Sequence, residues 1–373
     1  MSSEIIESIE TQLVDLPLKR IHKFSATSIN IKAFLLVRIR TRNGILGIGE
    51  ATTPGGPWWA GEAIETIQLM IEKYFAPLLI GEDAMNITRL LEMLDRCAAN
   101  NNFAKAAVEM ALLDIKGKAL DVPVYELFGG LYRDSAVINW PLAMGDAAAD
   151  IEEAERMMAD NLAHDFKVKM GYKSPTEDVS YIGELCRGLN DRASVRGDLN
   201  ASWNEAQARS LLPQLREHGL LLIEQPLEAW NREGLARLRQ SCDLPILADE
   251  SACTQQDARE LLTLGAADAI SLKPLKSGGL LATQKIVAIA ASGGVPCYAG
   301  TFLESSIGTA SHMHLVAALP QINYGNELVG PIWLADDLVQ EPVEYRDNRV
   351  WVKHEPGLGI TLDEDKVQHY LRR

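Results

Sequence analysis

Five charged residues end five successive apolar runs: Lys169 (FKVK), Asp198 (SVRGD), Glu224 (LLLIE), Asp249 (LPILAD) and Lys273 (AISLK). The steps between them are 29, 26, 25 and 24 residues. One strand, one helix and two loops take about that much chain. A charge that ends every strand belongs to one shared site. Three carboxylates flanked by lysines suit a divalent cation with a cationic acid/base group on each side. Hard oxygen donors without His or Cys favour Mg²⁺ or Mn²⁺ over zinc. One such residue alone is more often a solvated strand cap. Five in register at the C-terminal ends of parallel strands point to function, because barrel chemistry sits on that face.

Side chains alternate along a strand, so Lys167 shares a face with Lys169, and Arg196 shares one with Asp198. The loop after Asp198 continues to Asn200. A second ammonium at Lys167 and a nearby cation both disfavour charge on Lys169, which suits it to exchanging protons near neutrality. A metal ion at the carboxylates holds a substrate carboxylate and stabilises the enolate formed when the adjacent carbon exchanges a proton.

The elements that position these residues follow a regular rhythm. Strands are predicted at 136–140, 165–169, 194–198, 221–224, 245–249, 269–273, 295–299 and 322–326. Amphipathic helices are predicted between most of them, for example at 149–162, 205–217, 255–264 and 280–292. Eight β/α repeats of this size predict an α/β fold of the (β/α)8 type, a modified TIM barrel, over 131–340. The first third reads differently. Residues 33–50 are two β-like runs joined at Asn43-Gly44, a hairpin signature. Helical stripes follow at 61–76 and 103–120. Residues 1–130 therefore predict an α+β capping domain, and the β-like tail at 341–373 is expected to return to it.

The chain has 373 residues, enough for two domains. Its net charge of −15 argues against nucleic acid, which needs clustered Lys and Arg. No apolar run approaches the roughly 20 residues of a membrane helix, and the polar start at Met1–Thr11 lacks a signal-peptide core. The five cysteines (Cys97, Cys186, Cys242, Cys253 and Cys297) show no close pairing and read as reduced thiols of a cytoplasmic protein.

The motifs KVK (167–169), DLN (198–200), IEQP (223–226), ADES (248–251) and SLKP (271–274) resemble the muconate-lactonizing subgroup of the enolase superfamily. The resemblance spans essentially the whole chain. It includes GIGEATTPGGPWW (47–59), VPVYELFGG (122–130), GTFLESSIGT (300–309), GNELVGP (325–331) and PGLGITLDEDK (356–366). It implies Asp198, Glu224 and Asp249 as metal ligands and Lys169 as the lysine that handles the proton beside the substrate carboxylate. Lys273 matches the lysine across the pocket, Lys167 its cationic neighbour, and Glu327 the glutamate that ends the eighth strand. Asn200 and Glu250 match positions just behind the ligands. The implied cofactor is Mn²⁺ or Mg²⁺, the implied substrate a small dicarboxylate, cis,cis-muconate or its chlorinated counterpart, and the implied assembly a homo-oligomer, commonly an octamer. A lysine base beside Mg²⁺ is the superfamily's arrangement. Gly197 and the Pro57-Trp58-Trp59 triplet depart from the family pattern.

Lesser features allow two readings each. His22 stands in a loop that, by resemblance, covers the active site, where it either contacts substrate or is solvated. Trp58 and Trp59 either shut water out of the pocket or pack between domains. Ser277-Gly278-Gly279 after the sixth strand reads as a phosphate site or a turn opening a helix. The same two lysines also serve dipeptide epimerisation, N-acylamino acid racemisation and o-succinylbenzoate synthesis, although Asn326-Glu327-Leu328 is not the Asp-x-Asp pattern of the epimerases. A catalytically silent metal-binding barrel is the remaining alternative.

Overall fold

In the computed structural model, which describes residues 3–23 and 27–372, the chain opens with an antiparallel sheet of three strands. These are β1 (Ile6–Lys23), β2 (Ser28–Thr41) and β3 (Leu46–Thr52), in that order. Gly44 supplies the positive φ (+89°) that turns β2 into β3 at the predicted hairpin. β1 is an 18-residue strand that the residue pattern does not announce. Its alternation is broken by Pro17 and charged residues, which an edge strand tolerates. The helix Asn102–Leu120 lies flat on β3 because Gly47 and Gly49 carry no side chain. A Cβ at Gly49 would stand 2.0 Å from the Ala107 carbonyl oxygen.

The predicted first barrel strand, 136–140, is in fact two elements. β4 (Ser135–Val137) pairs antiparallel with a tail hairpin, while β5 (Asn139–Leu142) opens the barrel. The other barrel strands are β6 (Asp165–Lys169), β7 (Ser194–Asp198), β8 (Ile223–Glu224), β9 (Ile246–Ala248), β10 (Ala269–Leu272), β11 (Cys297–Ala299) and β12 (Ile322–Asn326). They lie side by side in chain order, all parallel, with helices between them. The tail hairpin is β13 (Tyr345–Arg346) and β14 (Arg349–Trp351). Beyond it the tail also reaches the first sheet, through a bridge between Leu371 and Val14 and the pairing of Arg372 with Asp15.

Among the described residues no backbone ladder joins β12 to β5. One side chain of β5 bridges that seam, and one of β7 reaches β12 from across the barrel. The Asn326 N–H donates to Asn139 Oδ1 (3.0 Å), and Arg196 Nη1 donates to the Tyr324 carbonyl (2.9 Å). Gly325 between them has φ +143°, and a Cβ there would meet Arg196 Nη1 at 2.5 Å.

The two sheets are joined by buried carboxylates. Glu109, on the helix Asn102–Leu120, accepts the N–H groups of Leu280 and Leu281 at the start of the helix Leu280–Ser292. The Ser277-Gly278-Gly279 turn thus opens a helix whose first donors are already taken. Glu50, on β3, likewise accepts from the Ser305 N–H and hydroxyl. Burial, the dominant influence on each, pushes both carboxyls up to about 8 against those hydrogen bonds.

Candidate active site

Register places the charged residues in a row. Lys169 lies opposite Asp198, and Asp198 opposite Glu224, across three adjacent strands. Asp249 and Lys273 each follow immediately on their strands, β9 and β10. Facing residues of a parallel ladder point to the same side, so the row converges inside the barrel mouth.

The carboxylates are wholly buried and each meets a lysine. Lys169 Nζ donates to Asp198 Oδ2 (2.6 Å). Lys167 Nζ donates to Glu224 Oε2 (2.7 Å), stands 3.9 Å from Asp198 Oδ2 and pairs with Glu327. Lys273 pairs with Asp249 Oδ2, and Lys276 donates to Asp249 Oδ1 and to its carbonyl, both at 2.7 Å. Lys167 therefore does not act on Lys169 as a bare neighbouring ammonium; its charge is enclosed by carboxylates one layer deeper in the barrel. Burial pulls Lys167 down, but Glu224 and Glu327 together hold it well above the usual lysine range. Burial likewise opposes ionisation of Asp198 and Asp249, yet their lysine partners hold both carboxyls below the ordinary range. Glu224 differs: burial, reinforced by Asp198 and Asp249, lifts it to about 7 against Lys167.

Among the described residues no three carboxylate, His or Cys side chains are arranged, as they stand, to hold a metal ion. Each of the three carboxylates turns an oxygen toward a lysine instead. The donor set nevertheless suits a hard dication. Three carboxylates end three adjacent strands, and Glu224 Oε1 is buried without a hydrogen-bond partner. A cation bound among these carboxylates would give that oxygen a partner.

Around this row stand the other candidates. Asn200 donates its backbone N–H to Asp198 Oδ1 (3.0 Å) and its amide to Glu250 Oε1 (3.1 Å). Trp59 reaches in from the first domain and donates to the same Glu250 oxygen (3.1 Å). Its ring lies 5.1 Å from Lys273 Nζ and meets Phe302 edge-on at 4.9 Å. Phe302 in turn lies 4.7 Å from Lys273 Nζ, so two aromatic faces border that ammonium. Trp58 lines the same cavity as Trp59, Asn200 and Glu250, and its indole N–H donates to the Pro54 carbonyl (2.7 Å). His22 lies at the end of β1 rather than in a loop, and its ring packs edge-on against Trp333 at 4.7 Å. Burial, then the charge of Lys169, hold it well below the usual histidine range. The chain beyond it, 24–26, lies outside the described residues.

Three neighbours escape sequence reasoning. Lys276 was findable, since it falls one helical turn after Lys273 on the short helix Pro274–Ser277. Phe302 lies in the quoted GTFLESSIGT segment but carries no charge to mark it. Gln225 follows Glu224 and has no periodic signature. The departure at Gly197 is explained by packing: a Cβ there would stand 2.8 Å from Met170 Sδ and 3.0 Å from Ile223 Cδ1.

Two family descriptions match the chain. "Mandelate racemase / muconate lactonizing enzyme, N-terminal domain" covers residues 8–129, and "Enolase C-terminal domain-like" covers residues 149–366. Muconate cycloisomerase 1 of Rhodococcus opacus is 41% identical over 100% of both chains. A chloromuconate cycloisomerase of Cupriavidus pinatubonensis is 41% identical over 96% of this chain and 97% of the other. The solved structure of the muconate lactonizing enzyme from Pseudomonas fluorescens, complexed with muconolactone, superposes with a TM-score of 0.98 at 41% identity over 100% of both chains.

Proposed function

The chain belongs to the mandelate racemase / muconate lactonizing enzyme family of the enolase superfamily, and on that premise we propose that it is a cycloisomerase closing cis,cis-muconate into muconolactone with Mn²⁺ or Mg²⁺. The observation that supports this reading is Lys169 and Lys273 at the ends of the second and sixth barrel strands, with Asp198, Glu224 and Asp249 at the ends of the three strands between them.

In this reading Asp198, Glu224 and Asp249 hold the ion. When bound, it supplies positive charge opposite the carboxylate whose neighbouring carbon takes the proton. The other carboxylate of the substrate adds to the more distant double bond, the one conjugated with the first carboxylate, forming the ring C–O bond. The displaced electron pair makes an enolate at the far end. Lys169 Nζ gives its proton to the α-carbon and is recharged from solvent, so a dianion and one proton become a monoanion. Lys273, fixed by Asp249 and bordered by Trp59 and Phe302, keeps a positive charge across the pocket. Trp59, Phe302, His22 and Trp333 keep stray water from the enolate. A dianionic substrate suits a pocket where lysines concentrate in an otherwise acidic chain.

The chlorinated substrate is the second reading, favoured by a chloromuconate cycloisomerase relative of the same identity. A cytoplasmic homo-oligomer acting in bacterial catechol breakdown goes with either. No helix of the described residues is long and apolar enough to cross a membrane.

The test is the ultraviolet absorbance of the substrate's conjugated diene, followed with Mn²⁺ and then with chelator. Rapid metal-dependent loss, with muconolactone as product, is expected. The chlorinated diene run beside it separates the two readings. Folded, metal-loaded protein that leaves both dienes intact overturns the proposal in favour of epimerase, racemase or o-succinylbenzoate synthase chemistry.

A further inference from the structure

We propose that Gln225 is a positioning residue that sets the mutual placement of Asp198, Glu224 and Asp249; the inference rests on their reading as metal ligands. Gln225 directly follows Glu224 and is fully buried. Its side-chain oxygen accepts three hydrogen bonds from the loop after β9: from the Asp249 N–H (2.9 Å), the Ser251 N–H (3.2 Å) and the Ser251 hydroxyl (2.8 Å). Its side-chain nitrogen donates to the Leu227 carbonyl (2.7 Å), which fixes which end of the amide faces Asp249. Its backbone N–H donates to the Leu247 carbonyl (2.9 Å), and its carbonyl accepts from the Ala201 N–H (2.8 Å). One residue thus ties together the three strand ends that carry the three carboxylates.

Only an amide of this length does all of this. A glutamate has no donor for the Leu227 carbonyl, and an asparagine is one methylene short. The backbone supports the same view. Gln225 (φ +34°), Asn200 (φ +40°) and Ala201 (φ +62°) all occupy the left-handed region that L-residues avoid. Such conformations persist where surrounding contacts over-determine them, and they cluster at functional sites. Here they turn the chain sharply just after Asp198 and Glu224, the residues whose register sets them side by side.

The test is titration of the whole protein with Mn²⁺ alone, reading the paramagnetic resonance signal of the free ion, with circular dichroism as a check on folding. Gln225→Met keeps the volume and removes every side-chain hydrogen bond. It is expected to raise the Mn²⁺ Kd about tenfold or more, as loss of an orienting partner behind a ligand does. Ser251→Ala removes one of the three bonds and is expected to raise Kd about threefold. A purely structural residue lowers the melting temperature but leaves Kd unchanged in protein that is still folded. Folded Gln225→Met binding Mn²⁺ as tightly as the parent overturns the proposal. If Gln225→Met does not fold, an unchanged Kd in Ser251→Ala does so. A parent protein that binds no Mn²⁺ overturns the ligand assignment and this role together. Intact binding without turnover of either diene leaves the positioning role standing and removes only the proposed reaction.

Discussion

Lys167 and Glu327 meet inside the barrel, one from the second strand and one just past the eighth. Glu327 is delivered there by the side-chain seam, since its N–H binds the Ala299 carbonyl (2.8 Å) while the preceding N–H binds Asn139. The ammonium is shared with Glu224, so one buried charge holds two strand ends. Removing it leaves carboxylates uncompensated in a low-dielectric interior. Lys167→Met is expected to destabilise the protein by about 3–5 kcal/mol, measured by urea unfolding. Adding Glu327→Gln to that variant should restore part of the loss, because it removes one of the stranded charges. Strictly additive effects would show that the pair is not coupled.

In the proposed mechanism Lys169 is the ammonium that delivers the proton. Lys169→Ala should keep the fold and lower kcat by about 10²–10⁴-fold, the usual contribution of a positioned acid. In D2O the parent should place a single deuteron on the α-carbon of the lactone. Full activity in Lys169→Ala would falsify the mechanism.

Trp59 joins the first domain to the barrel through the Glu250 carboxyl. Trp59→Phe keeps an aromatic face beside Lys273 and deletes only the indole N–H. KM should rise about three- to tenfold with kcat nearly unchanged, the effect of one hydrogen bond to a carboxyl that burial pushes up to about 8. Steady-state kinetics on the diene decide it. A fall in kcat alone would place Trp59 in the chemical step instead.

Glu109 predicts a pH dependence of stability. Its carboxyl lies near the ordinary glutamate value when unfolded and at about 8 when folded, because burial disfavours its charge. The folded protein therefore holds more protons at this position. Stability from this group is fully present below about pH 4.5 and is lost as pH rises to about 8. Glu109→Gln has no such titration. The melting temperature of the parent relative to Glu109→Gln should fall steadily from pH 5 to pH 8. A difference that stays flat would show that the carboxyl remains ionised in the fold.

Gly197 and Met170 predict a compensating pair. Gly197→Val forces a branched side chain against Met170 Sδ and Ile223 and should cost about 1–3 kcal/mol. Met170→Ala made with it should recover much of that loss, since space opens where the clash was. Thermal unfolding of the two single variants and the double variant measures the coupling.

Much of the site was legible because its chemistry needs charge where apolar runs stop. Lys169, Asp198, Glu224, Asp249 and Lys273 break the pattern of their strands, and a barrel places such breaks on one face. Residues that work by shape or by tertiary hydrogen bonding leave no such break. Gln225 is one polar residue after a strand, and its three donors come from a loop that a sequence cannot place beside it. Glu109 sits in a helix too apolar to flag one face for attention. Strand β1 went unread for a related reason: alternation interrupted by Pro17 and charges looks like loop until pairing with β2 supplies the missing order. Sequence reading also merged β4 with β5, because both are short and apolar and only their partners, the tail hairpin and β6, tell them apart.

Glu109 has a meaning beyond its own stability. Helix N-termini present N–H donors without partners in the helix, and those at the start of Leu280–Ser292 are taken by the Glu109 carboxyl, carried on the neighbouring domain. The first domain is in that sense a tethered ligand of the barrel. Chain connectivity gives it a high effective concentration that no free phosphate or carboxylate in solution matches. The helix end that could have bound a ligand from solution instead holds the first domain, the same domain from which Trp59 reaches Glu250.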